Sequence, residues 1–120
     1  MAIAFGEPGS RRVRTRLGSY ERLYSANLLE AELRAAFARE RVAWRPDIVA
    51  SLGWVLPERR LTDEIRDVLE AGYLRGADLW HVACALYLRA ALEELDFLTL
   101  DTNQRDVAST AGLSTPVLVG

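Results

Sequence analysis

Three acidic residues in this chain stand where carboxylates can do chemistry together. Asp78 follows the turn Arg75-Gly76-Ala77 and opens a strongly periodic helical stretch, Leu79-Trp80-His81-Val82-Ala83-Cys84-Ala85-Leu86. Asp101 follows the apolar run Phe97-Leu98-Thr99-Leu100. Glu32 lies inside an apolar helical pattern beside Leu28, Leu29 and Leu33. Hard divalent cations take oxygen ligands and keep several waters, so a few carboxylates suffice to hold one. Such a cation activates a water and stabilises charge on a phosphate in flight. Singly, each acid also has an ordinary account. Asp78 and Asp101 suit the first turn of a helix, where unpaired N–H groups and the dipole favour a carboxylate. Glu32 is harder to explain as a cap, although helical glutamates are usually solvated.

Acids from three distant segments meet only if the fold brings strand ends together, as an open α/β sheet does at its carboxyl edge. The sequence pattern supplies such elements. Ser10 caps a helix over Arg11 to Leu17, and Arg22 to Ser25 reads as a short strand. Leu28, Leu29, Leu33, Ala36 and Phe37 recur at helical spacing from Asn27 to about Arg41. Pro46 opens another helix through Ile48 and Leu52, while Trp54-Val55-Leu56 stays open between strand and connector. Thr62 is a good N-cap for a helix through Ile65, Val68 and Leu69 to Gly72. The Asp78 helix continues to about Leu92. Phe97 to Leu100 is a buried, parallel-type strand. Asp101 starts a helix that ends at Gly112, and Thr115 to Val119 is a last strand, placed at an edge or strand start by Pro116. Strands alternating with helices predict a parallel sheet covered on both faces.

The bulk numbers set the frame. At 120 residues and 13.4 kDa the chain is expected to be one domain, spanning 1–120, with room for a core. A net charge of −2 argues against a protein that coats nucleic acid non-specifically. All fifteen basic residues are arginine. One cysteine rules out a disulfide framework and a cysteine zinc site. No run approaches the roughly 18 apolar residues of a membrane helix, and the expected location is the cytoplasm.

Other residues near the acids have roles to weigh. Thr99 and Asn103 flank Asp101 and are candidates to orient it, with local cap bonding equally able to explain them. Asp106 is a candidate auxiliary acid or part of a solvated face. Arg75 is a candidate for holding a phosphate. His81, the only histidine, is read as structural on its apolar helix, and Cys84 as a small hydrophobe. Trp44, Trp54 and Trp80 are read as core or interface.

The three motifs, Ser25-Ala26-Asn27-Leu28-Leu29-Glu30-Ala31-Glu32-Leu33, Gly76-Ala77-Asp78-Leu79-Trp80-His81-Val82-Ala83 and Leu98-Thr99-Leu100-Asp101, taken in order, resemble the signature of PIN domains. The closest group is the VapC-type toxin ribonucleases of toxin–antitoxin pairs. The resemblance implies an α/β/α sandwich with a short parallel sheet. It implies a Mg²⁺- or Mn²⁺-dependent endoribonuclease with Glu32, Asp78 and Asp101 as catalytic metal ligands. A metal-activated water would cut the RNA phosphodiester, leaving 5′-phosphate and 3′-hydroxyl ends. It further implies a cognate antitoxin protein and frequently a homodimer, with no membrane attachment. The family pattern begins with a mid-sheet strand ending in an aspartate. Here Ala4-Phe5-Gly6-Glu7-Pro8-Gly9-Ser10 looks like the turn after that family's first helix. The expectation is therefore an N-terminally truncated domain whose first, central strand is missing, with the missing aspartate encoded upstream of Met1. A catalytically inactive module that binds an antitoxin or dimerises is the alternative.

Overall fold

Short apolar runs become strands and the periodic stretches become helices in the computed structural model, which describes residues 3–6 and 20–117. The strands are β1 (Ile3–Gly6), β2 (Arg22–Ala26), β3 (Leu52–Val55) and β4 (Asp96–Leu98). Among the described residues the helices are α1 (Leu28–Arg39), α2 (Thr62–Ala71), α3 (Gly76–Arg89) and α4 (Thr102–Thr110). The four strands form one parallel sheet in the order β3-β2-β1-β4. Beyond β4 a single parallel bridge joins Asp96 to Ser114.

This order corrects one expectation. The central position predicted to be empty is filled by Ile3–Gly6, with Phe5 paired to Tyr24 of β2 on one side and to Phe97 of β4 on the other. An interior parallel position is buried on both faces and takes a continuous apolar run. Ile3-Ala4-Phe5 is a short apolar run in sequence, and its backbone pairs with both neighbours. Glu7 to Ser10, and the helix expected over Arg11 to Leu17, lie outside the described residues.

Two further expectations change. The helix predicted from Pro46 to Leu52 is a single 3-10 turn, Pro46–Ile48, because Leu52–Val55 pairs with β2 instead. Gly53 favours this choice, since a Cβ there would sit 2.6 Å from the Tyr24 ring. Of the last predicted strand, Thr115 to Val117 are not strand, and Leu118 and Val119 lie outside the described residues. Just before it Ser114 makes the bridge, its carbonyl accepting from Phe97 N–H at 2.8 Å.

α3 is the centre of the packing. It lies against β2, α2 and α4, and five successive residues, His81 to Ala85, are buried. A helix apolar on several faces belongs inside, and this one does. Val55, Leu61, Val68, Leu74, Phe97 and Val107 complete the surrounding core. At the entry to α2, Arg59 clamps Glu64 through two hydrogen bonds of 3.0 and 2.6 Å. That guanidinium holds the Glu64 carboxyl below its usual range.

The ends of two helices solve one problem differently. α4 closes with a Schellman motif: Leu113 N–H donates to Ala108 C=O and Gly112 N–H to Ser109 C=O, both at 3.0 Å, with Gly112 at φ +106°. α1 closes the same way through Val42 to Phe37 and Arg41 to Ala38. There the left-handed position is held by Arg41 at φ +56°.

Candidate functional site

The chain steps outward from β1 to β2 to β3 and then crosses back to place β4 on the far side of β1. The crevice outside the carboxyl ends of β1 and β4 is thus the topological switch point, where open α/β sheets bind ligands. Asp101 lies there, three residues beyond the end of β4. It is the N-cap of α4, with its Oδ1 accepting from the Gln104 N–H at 2.9 Å. Its own N–H donates to Thr99 Oγ1 at 3.1 Å.

Gln104 ties this corner to Asp78. Its side chain is buried, with Oε1 accepting from Thr99 Oγ1 at 2.7 Å and Nε2 donating to the Asp78 carbonyl at 3.3 Å. One residue earlier, Asn103 Nδ2 donates to the Tyr73 carbonyl at 3.3 Å. The start of α4 is therefore stitched at two points to the segment that leads into α3. Asp78, half-buried in the first turn of α3, is brought beside Asp101's helix by these bonds. Sequence reasoning passed over Gln104. The available signal was the pattern Asp-x-x-Gln over 101–104, a capping-box spacing just before a helix.

Glu32 approaches from the other direction. It stands half-buried on α1, and its Oε1 accepts from His81 Nε2 at 2.6 Å. His81 is 1% exposed and sits three residues after Asp78 on α3, so the hydrogen bond fixes Glu32 relative to Asp78. A second tie lies alongside, where Trp80 Nε1 donates to Asn27 Oδ1 at 3.2 Å. Asn27 is the N-cap residue of α1, yet its side chain makes no cap bond. His81 was read from sequence as structural. It is buried as expected, and it also engages one of the three acids.

The remaining candidates divide. Thr99 and Asn103 are occupied by the bonds that build the corner. Asp106 is exposed on α4, where its carbonyl accepts from Thr110 Oγ1 at 3.0 Å. Arg75 is exposed immediately before α3. Cys84 is fully buried, and burial pushes its thiol up to about 12, which leaves no thiolate for nucleophilic work at neutral pH.

Among the described residues no group of three or more His, Cys, Asp or Glu is arranged to hold a metal ion. Asp78 and Asp101 share a corner, and Glu32 is directed to His81. As they stand, these carboxylates do not form a ligand cluster. No helix among the described residues is long and apolar enough to cross a membrane.

Neither a curated protein nor a solved structure matches the chain. A family model does: the one for the PIN domain matches residues 1–109. That match spans β1 through most of α4 and includes all three acids, and the mixed α/β structure with its short parallel sheet agrees with it. The chain belongs to the PIN domain family.

Proposed function

We propose that this chain is a metal-dependent endoribonuclease of the VapC type, the toxin of a toxin–antitoxin pair, with Glu32, Asp78 and Asp101 as its site acids. PIN domains are generally nucleases and usually work with divalent metal ions. The observation that carries the reading is the joining of Asp78 and Asp101 through Gln104 at the sheet's switch point, within the family match. Electrostatics supports the cation requirement. Carboxylates near an RNA phosphodiester repel it, and a cation between like charges reverses the sign. Mg²⁺ or Mn²⁺ is the proposed ion. Thr99 and Gln104 hold the Asp101 corner in place. Asn103 anchors the neighbouring segment, and Asp106 is at most an outlying acid. The proposed partners are an RNA substrate, an antitoxin protein and a second copy of the chain, in the cytoplasm.

Cleavage of a labelled single-stranded RNA tests this directly. Mg²⁺-dependent cleavage should fall at least about 100-fold in Asp101→Asn and Asp78→Asn, the scale of losing a principal electrostatic group. Asparagine caps a helix as well as aspartate, so Asp101→Asn should retain its fold. Undiminished cleavage in both variants would overturn the assignment. The lack of a ligand cluster among the described residues favours a second reading, a module that binds an antitoxin or dimerises without cutting RNA. Metal silence in calorimetry, together with tight binding of the antitoxin, would decide for that module.

A further inference from the structure

We infer that Tyr73 is a stacking platform for an unpaired base of single-stranded RNA, with Arg75 contacting a phosphate of the same strand. This rests on the ribonuclease reading and adds to it the part of the molecule that grips substrate. Tyr73 is 74% exposed, more than any other large apolar side chain among the described residues. Its backbone is nonetheless firmly held. Asn103 donates to its carbonyl, Gly72 before it packs so closely on Val107 that a Cβ would sit 2.7 Å from a methyl, and Leu74 after it is 4% exposed. The ring is thus presented to water from a rigid base.

Its position is specific. The bond from Asn103 places it two residues from Asp101 along α4, and Arg75 lies three residues before Asp78. Arg75 is exposed and makes no ion pair among the described residues. Single-stranded RNA is gripped by aromatic rings that stack on bases and by cations on its backbone, and this short segment offers both. A protein partner would call for a broad apolar patch. Here one exposed ring lies two residues before an exposed arginine, with its carbonyl held by Asn103, a pattern that suits a base and its phosphate.

Binding of a labelled, unstructured RNA oligonucleotide by fluorescence anisotropy, in the Asp101→Asn background with Mg²⁺ present, tests the inference. Tyr73→Ala should raise Kd about 5- to 100-fold, the range for loss of one stacked base. Tyr73→Trp should hold Kd near the parent value, with unchanged thermal melting in both variants. Arg75→Ala should weaken binding and lower the slope of log K against log salt by about one phosphate contact. Parental affinity in Tyr73→Ala overturns the platform. So does a loss of self-association or of antitoxin binding with RNA binding intact, which would mark the ring as a protein contact. If the wild-type chain cleaves RNA and Asp101→Asn does not, while Tyr73→Ala keeps the parental KM, the nuclease reading stands and this inference falls. If the parent neither binds nor cleaves RNA, both fall.

Discussion

Helices α1 and α3 each carry one acid of the proposed site and are secured by opposite means. α3 buries His81 to Ala85 in succession, so its position is set by packing against a strand and two helices. α1 has twelve residues, of which Leu29 is the buried one. Two hydrogen bonds tie it to α3, from Trp80 to Asn27 and from His81 to Glu32. Packing holds a helix over its whole length, whereas a few hydrogen bonds hold it near one end. The contrast implies that Asp78 has a fixed address and that Glu32 depends on local contacts.

The strongest way to break this contrast is Leu29→Ala. Loss of the one buried side chain of α1 should cost about 2–5 kcal/mol, measured by denaturant unfolding. Hydrogen exchange should rise first in α1 while α3 stays protected. Equal loosening of both helices would show that α1 is not separately anchored.

A middle-sized effect is expected at the polar tie. His81→Phe keeps an aromatic ring and removes the donor to Glu32. A bond to a charged group contributes about 1.5–3 kcal/mol, and the partial exposure of Glu32 should reduce this to about 1 kcal/mol. A double-mutant cycle with Glu32→Gln should give a coupling above about 0.5 kcal/mol in stability, and non-additive losses in RNA cleavage. Additivity in both measurements would mean that His81 merely fills space.

The smallest effect sharpens the comparison from the far end of α1. Arg41 occupies a left-handed position that costs a non-glycine residue about 1–2 kcal/mol. Arg41→Gly should raise stability by somewhat less, about 0.5–1 kcal/mol in chemical denaturation, because glycine is also freer when unfolded. A destabilised Arg41→Gly would mean that the arginine side chain contributes more than its backbone costs.

What the sequence disclosed follows the same division. The periodic stretches around Leu29, Val82 and Val107 were legible because a buried stripe imposes its own spacing. The place of Asp101 just beyond a strand end was legible because it follows the apolar run Phe97 to Leu100, whereas its link to the Asp78 carbonyl runs through Gln104. The strand at Ile3–Gly6 was not, since four residues carry little pattern and their pairing is wholly non-local. The helix expected after Pro46 failed for a related reason, as pairing with β2 and the tight fit of Gly53 on Tyr24 are tertiary facts. The ties made by Gln104 and His81 are hard to read in the sequence because each works through a partner far away, Asp78 and Glu32 respectively.

Cys84 has a further use in light of this packing. It is the chain's one thiol, wholly enclosed in the middle of α3 and held protonated by its surroundings. A thiol reagent can reach it only when the most firmly packed part of the molecule opens. The rate of its labelling therefore counts openings of the core rather than the breathing of surface segments. The protein carries a built-in clock for its own unfolding, with no engineered labelling site.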